Sequence, residues 1–179
     1  GGGGGGAAVE LITGEESKVE MGLVRADAHL MGAMMQLILG SYLKAAWNLR
    51  TGWSLYSSLA RIVDAAPDQY SDHVKSLVEF GIGMFGLVVS FLPPTYLTIA
   101  ELAGFSGDRK AALARLDVSR GRSEAAWSVM SCLLLLYYLT QIKPNLGIAS
   151  PDDGAAAAAL LGCEAAAPYG GSALVVWMR

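Results

Sequence analysis

SLVEFGIGMFGLVVSFLPPTYLTIAELAGFSGDR, residues 76–109, is the stretch on which the fold turns. Its first part, Leu77 to Leu92, is apolar almost all round and too long for one strand, with Gly81, Gly83 and Gly86 inside it. A helix that is apolar on every side is a buried helix. Glycine inside a helix costs about 1 kcal/mol relative to alanine, so three of them predict a face that another backbone approaches closely. Pro93 and Pro94 are expected to end this helix, because proline lacks the N–H and biases its predecessor away from helical angles. A short helix is predicted over roughly Thr95–Ala103, with Gly104 as its C-terminal cap. Ser106 is expected to cap the next helix, with Asp108 near the positive end of that helix's dipole. On this reading Pro93–Arg109 is a structural hinge between two helical layers.

Toward the N-terminus, Thr13 and Glu16 fit a capping box that opens a helix through about Leu39, which Gly40 breaks or bends. From Ser41 to about Val63, Leu43, Trp47, Leu55, Leu59 and Ile62 fall at helical spacing, with Lys44, Asn48 and Arg61 on the wet side. A polar connection over Asp68–Asp72 leads into the buried helix. Beyond Arg109, a short helix over Ala111–Val118 turns Leu113 and Leu116 inward. After Gly121, a second almost wholly apolar helix is predicted over Ser123–Ile142, stopped by Pro144, Asn145 and Gly147. Ser150-Pro151-Asp152-Asp153 reads as a helix start with a serine cap and proline at the first position. The helix that follows, Ala156 to Glu164, leads to Pro168 and a last apolar run, Ala173 to Met178. No segment alternates as a strand does, and the connections are short, so the expected fold is all-α with antiparallel helix pairs. Ala156, Leu160, Cys163 and Pro168 reproduce the spacing of the second half of a tetratricopeptide repeat, and Leu55, Leu59, Ile62 and Pro67 repeat it with a large residue in the small position.

The 179 residues, 53% of them hydrophobic, suffice for one domain with a sizeable core. A net charge of −3 argues against a phosphate-binding surface, and no nucleic-acid partner is expected. Cys132 and Cys163 lack ligand-spaced neighbours and read as reduced core residues of an intracellular protein. The six leading glycines have neither the basic start nor the apolar core of a secretory signal. Mean hydropathy is +0.41, yet Phe80–Leu92, Leu30–Leu43 and Cys132–Leu139 all fall short of the about 20 apolar residues a spanning helix needs.

Gly81-Ile82-Gly83-Met84-Phe85-Gly86 is a literal G-x-G-x-x-G, with Glu101 about where a ribose-binding acid would stand. A dinucleotide site needs a strand before the glycines and a long helix after them; here two prolines arrive within about two turns and no strands exist to form a sheet. His29 and His73 have no ligand partners at helical spacing. Ser57, Ser58, Ser128 and Ser131 have no plausible base nearby. Glu101, Asp108 and Arg109 read as helix-end charges, with Glu101 or Asp117 pairing Arg109. Arg115, Arg120 and Arg122 read as a small basic cluster at a solvated helix junction, and Trp47, Trp53 and Trp127 as core or groove residues. No catalytic, cofactor-binding or metal-binding residue is assigned, no cofactor is expected, and the expected work is binding.

GIGMFGLVVSFLPP, Leu97, Glu101 and GFSGDR (Gly104–Arg109) resemble the most distinctive segment of the tetratricopeptide repeat protein 39 family, which includes the fungal inclusion body clearance proteins. The likeness runs from about Glu15 to Met178 and departs at Gly86, where asparagine is commoner, and in the alanine-rich tail after Gly154. It rests on Gly81, Gly83, Phe85, Pro93, Pro94, Glu101, Gly104, Phe105, Gly107, Asp108 and Arg109, all read as structural. The resemblance implies a tetratricopeptide-like α-solenoid of antiparallel helix pairs. It also implies a non-catalytic scaffold or adaptor for protein partners, linked to lipid-droplet or inclusion-body handling. The organisation that follows is a Gly-rich, disordered leader over 1–12 and a helical-repeat domain over 13–179, part of a longer array. The expected place is the cytoplasm, with peripheral contact to the mitochondrial outer membrane or lipid droplets. The alternatives are a membrane-associated helical protein of those surfaces and a nucleotide-binding enzyme using Gly81–Gly86.

Overall fold

The computed structural model describes residues 14–92, 97, 107–122 and 126–166. Described residues form helices α1 (Gly14–Ile38), α2 (Tyr42–Ala65), α3 (Asp72–Val89), α4 (Arg109–Arg120), α5 (Ala126–Tyr137) and α6 (Asp153–Ala166), and no strand. A 3₁₀ turn, Pro67–Gln69, joins α2 to α3, and α5 is prolonged by a π-turn, Tyr138–Ile142, and a last α-turn, Lys143–Asn145.

The first hairpin is set by Gly40. Its φ of 71° lies in the left-handed region that glycine enters without a Cβ penalty. The N–H groups of Gly40 and Ser41 cap the Leu37 and Gln36 carbonyls at 3.1 and 2.8 Å, a Schellman ending that turns the chain straight into α2. The expected break at Gly40 is therefore a full reversal. α2 then runs back along α1: Leu59 meets Gly22 and Asn48 meets Gly32. Val19, Leu23, Ala26, Leu30 and Ala33 bury one face of α1; Ala45, Leu49, Gly52, Tyr56, Leu59 and Val63 bury the facing side of α2. Leu43 and Trp47, expected in this core, instead face solvent at 89% and 72% exposure, and Ile62 is also exposed. Asn48, expected to be wet, is half-buried, accepting or sharing a proton with His29 Nδ1 at 2.7 Å and donating to Gln36 at 2.9 Å. The inward stripe of α2 lies beside the large residues that spacing alone favoured, because small Ala45 and Gly52 let the backbones close.

Tyr56 donates its hydroxyl to Asp27 across this hairpin. Burial raises the Asp27 carboxyl above its ordinary value of 3.8 despite that bond, and burial together with the Asp27 contact pushes the Tyr56 hydroxyl up as well. A carboxyl raised in the folded state prefers its neutral form there. Its stabilising contribution is present below the unfolded value and is lost as pH rises through the folded one. Asp27→Asn keeps an acceptor for Tyr56 and carries no charge. It is expected to be more stable than the parent at pH 7, with the advantage disappearing as pH falls below the ordinary carboxylate value. Urea unfolding of both chains across that range checks this; a gap independent of pH would contradict it.

α3 opens at Ser71, whose hydroxyl accepts the Val74 N–H at 3.4 Å while its own N–H donates to Glu16 at 2.5 Å, tying the starts of α1 and α3 together. The capping-box partner expected of Glu16, Thr13, lies outside the described residues. The predicted polar connection, Asp68–Asp72, is one residue shorter than expected, because Asp72 is already helical. α3 ends at Val89, before the two prolines, which lie outside the described residues. α4 packs antiparallel along it: Asp72 meets Arg122 at 3.0 Å, Ser76 meets Ser119 at 2.9 Å, Glu79 meets Arg115 at 2.9 Å, and Gly83 and Gly86 face Ala112. Arg120 pairs with Asp117 at 2.7 Å. The three arginines read as a basic cluster therefore each carry an acidic partner. α5 closes on α4 through buried Ser131, which donates to Ser119 at 2.7 Å, and Ser128, which donates to the Arg120 carbonyl at 2.6 Å. Ser128 and Ser131, read as lacking a base, are buried polar links between closely packed helices, whereas Ser57 and Ser58 are half-buried on α2, where Ser58 donates to the Leu55 carbonyl of its own helix at 2.9 Å.

Pro144 alone does not stop the prolonged α5; Asn145 and Gly147, expected to stop it together with the proline, mark its end. A proline within a helix clashes with the carbonyl one turn back and cannot donate. The chain widens into a π-turn just before it, with Lys143 N–H capping the Tyr138 carbonyl, and the helix ends at Asn145, ahead of Gly147, φ 68°. Nor is Pro151 the first helical residue of α6. The helix starts at Asp153, whose carboxylate accepts the Ser150 N–H at 2.7 Å. In α6 the residue buried against α5 is Ala157, while Ala156, the expected small position of the repeat spacing, is exposed. The packing register is shifted by one; the Cys163 side chain and Pro168 lie outside the described residues. Cys132 is buried as expected, its thiol 3.9 Å from the Leu160 carbonyl.

Candidate functional site

The G-x-G-x-x-G string lies in the middle of a continuous helix. A Cβ on Gly81 would sit 2.5 Å from the Tyr56 ring, and one on Gly83 would sit 2.7 Å from Leu116 Cγ and 3.0 Å from the Ala112 carbonyl. The glycines serve close packing against α2 and α4; no strand precedes them among the described residues, and the α4 N-terminus that adjoins Gly86 is already capped by the acid Asp108 where a pyrophosphate would have to bind. Phe85, between the two, is buried against Trp53 and Tyr56, ring centroids 5.2 and 5.7 Å away.

Asp108 caps α4 itself, accepting from the N–H groups of Lys110 at 2.9 Å and Ala111 at 3.1 Å, so the cap is not the expected Ser106. Arg109 does not pair with Asp117. It reaches back across the connection to the end of α3, donating to the Ser90 hydroxyl at 3.3 Å and the Ser90 carbonyl at 3.2 Å, with its guanidinium 5.0 Å from the centre of the Phe91 ring. A cation on the last carbonyls of a helix complements its dipole. Gly107 stands against Leu97, where a Cβ would come within 2.6 Å of Cδ1. Pro93, Pro94, Glu101, Gly104, Phe105 and Ser106, and the expected helix over Thr95–Ala103 apart from Leu97, lie outside the described residues. Arg109→Ala is expected to cost about 1–3 kcal/mol, more than a surface ion pair would, because it removes charged hydrogen bonds and a ring contact. Arg109→Lys should recover only part of this, since an ammonium cannot bridge two acceptors in one plane. Denaturant midpoints of the three chains check the order.

Among the described residues no group of His, Cys, Asp and Glu could hold a metal ion. The most evident recess is a groove of about 450 Å³ between α4, the π-turn and α6. Leu113, Leu135, Tyr138, Leu139 and Leu160 make its floor. Two ion pairs make its rim: Arg120 with Asp117, and Lys143 with Asp153 at 2.6 Å. The Lys143 ammonium, then the Ser150 N–H, hold the Asp153 carboxyl below its ordinary range. This clasp is therefore present above that range and is lost as the carboxyl protonates in acid. π-Turns are frequent at functional sites, and here the widened turn places both Tyr138 and Leu139 in the groove and Lys143 on its edge. The groove was not legible in the sequence because it depends on how α4, the π-turn and α6 meet; the one sign available was a proline closely following an apolar helical run.

Residues 8–179 match the family Iml2/Tetratricopeptide repeat protein 39. The chain belongs to this family. Tetratricopeptide repeat protein ttc-39B of Caenorhabditis elegans is 27% identical over 151 residues, which cover 79% of this chain and 26% of that protein. The chain thus spans about a quarter of the length of this relative. No solved structure matches significantly. Family membership and six antiparallel-packed helices together make the fold a tetratricopeptide-like all-α solenoid, and the family type points to a helical-repeat scaffold for protein interaction. No described helix is long and apolar enough to cross a membrane.

Proposed function

We propose that this chain is a non-catalytic segment of a longer helical-repeat adaptor, and that a protein partner docks along the groove between α4, the π-turn and α6. The observation that carries the reading is the groove itself, an apolar floor about 450 Å³ in extent rimmed by ion pairs. Helical-repeat proteins use concave surfaces between stacked helices in this way. The eleven residues of the family likeness have a structural role on this reading, setting helix spacing and the α3–α4 connection. Ala156 and Ala159 are exposed on the groove's α6 side, so Ala156→Arg with Ala159→Glu fills it without disturbing the core. Proximity labelling in cells with the full-length protein should lose a discrete set of partners in this double variant while thermal stability is unchanged. An unchanged partner set would overturn the groove assignment.

A second reading, peripheral contact with a lipid-droplet or membrane surface, has its own support. From Ala28 to Val63 the chain has no Asp or Glu, while Lys44, Arg50 and Arg61 are present. The α1–α2 tip exposes Leu39, Leu43 and Trp47. Apolar residues with a tryptophan and flanking cations suit an interface with anionic headgroups. Flotation with vesicles containing anionic phospholipid, lost in Leu43→Glu/Trp47→Glu and absent with neutral vesicles, would support it. Equal flotation of parent and variant would contradict it.

A further inference from the structure

Pro144 lines no part of the groove, yet the turn just before it decides which side chains reach the groove. Leu135, Tyr138, Leu139 and Lys143 are the groove residues that α5 and its continuation supply. In an unbroken α-helix, at about 100° per residue, Tyr138 and Leu139 would flank Leu135 by about 60° and 40°, and Lys143 would stand about 80° round. A π-turn takes in one extra residue, so everything after it lags by about one residue's rotation. Lys143 then falls about 20° from Leu135, in line with the apolar floor, and is drawn about 1.5 Å back along the axis. There its ammonium meets the Asp153 carboxylate at 2.6 Å, a pair with side chains only 18% and 15% exposed. The α register would need the N–H of residue 144 on the Thr140 carbonyl. Proline has no such N–H, and its ring collides with that carbonyl. In the widened register the Lys143 N–H takes the Tyr138 carbonyl instead, and the Leu146 N–H returns to the Ile142 carbonyl at 3.0 Å directly after the proline.

We infer that Pro144 is a positioning residue of the groove: by excluding the α register over Tyr138–Ile142 it turns Lys143 onto Asp153, and so fastens α6, the groove's far wall, to the end of α5. Its consequence for recognition rests on the groove being the docking surface; the register does not. Two other features could hold the turn, and neither forbids the α register. Tyr138, buried with its ring 6.5 Å from Phe91, stands at the start of the turn and keeps its place in either register. Asn145 donates its side-chain amide to the Gln141 carbonyl at 2.7 Å, which satisfies one exposed acceptor and excludes nothing. Only the proline removes a donor and adds a collision. The Lys143–Asp153 pair is shielded enough to hold α6 more firmly than a surface pair would.

Pro144→Ala restores the N–H in the residue type that most favours a helix. Through-hydrogen-bond NMR couplings of the full chain are expected to link the Lys143 amide to the Tyr138 carbonyl in the parent and to the Leu139 carbonyl in the variant. Carbon NMR of the Asp153 carboxyl reads the second step. It titrates below the ordinary carboxylate range in the parent and should move up in Pro144→Ala as far as in Lys143→Met, with the double variant going no further. Asn145→Leu, which keeps the proline, should retain the Tyr138 coupling and the parent titration. A Pro144→Ala chain that keeps both parent signals overturns the inference, as does one that no longer folds, or an Asn145→Leu chain that loses them. Proximity labelling with the full-length protein reads recognition: Pro144→Ala should lose the partners that Ala156→Arg/Ala159→Glu loses. If the groove-filling pair changes no partner while the NMR signals move as expected, the groove is not the docking surface and the positioning stands. If the pair loses partners that Pro144→Ala keeps in its changed register, the link from Pro144 to recognition is overturned.

Discussion

Phe85→Ala is expected to lower the unfolding free energy by about 3–5 kcal/mol, the range for truncating a fully buried aromatic ring. Phe85 is 1% exposed and lies at the α2–α3 junction, in ring contact with both Trp53 and Tyr56. Removing it takes away apolar burial, leaves a cavity, and deletes two aromatic pairs worth about 0.5–1.5 kcal/mol each beyond their area. The cavity cannot close easily, because Gly81 already brings the α3 backbone against Tyr56. Phe85→Leu, which refills part of the space, should cost about half as much or less. Urea unfolding of the full chain gives both numbers; a loss below about 1 kcal/mol for the alanine variant would mean that the ring does not bind the two helices together.

Gly83→Val is expected to cost about 3 kcal/mol or more, at the upper end for overpacking. The Cβ alone would stand 3.0 Å from the Ala112 carbonyl, and α4 backbone cannot move as a side chain can. Leu116, the other neighbour, is fully buried. Gly83→Ala gains about 1 kcal/mol of helix propensity, which offsets part of its smaller clash. Its net cost should shrink further in a Leu116→Ala background, a coupling that a double-mutant cycle measures directly. Gly86→Ala serves as the internal comparison. Its Cβ would meet only the Ala112 side chain closely, at 3.1 Å, so the propensity gain should roughly cancel the contact.

How far the sequence could be read depended on whether one residue or several decided a feature. Gly40 and Gly81–Gly86 were legible because a left-handed turn and a close helix approach leave little choice but glycine. Spacing alone placed Leu116 and Cys132 inside. The inward face of α2 was not legible, since Ala45 and Gly52 carry the contact while Leu43 and Trp47, far more hydrophobic, stay outside. Apolar content outweighs small size in a periodicity argument, yet small size is what sets the distance between helices. Arg109 found Ser90 and Phe91 because the start of α4 lies beside the end of α3, a tertiary outcome that no local pairing rule contains. The groove beside the π-turn was hidden for a related reason: Tyr138, Leu139 and Lys143 precede Pro144 within the expected helix, but the widened turn that brings them to one groove with α6 is not written in their spacing.

The central claim is that Gly81–Phe85 is the packed interior of a helical scaffold and no nucleotide-binding loop. Native-state amide hydrogen exchange of the full chain, with and without NAD, tests it most directly. The account predicts that the amides of Gly81, Gly83 and Phe85 exchange in the slowest class, by global unfolding, at rates that NAD leaves unchanged. Fast exchange at these three amides that slows on addition of the dinucleotide would contradict it.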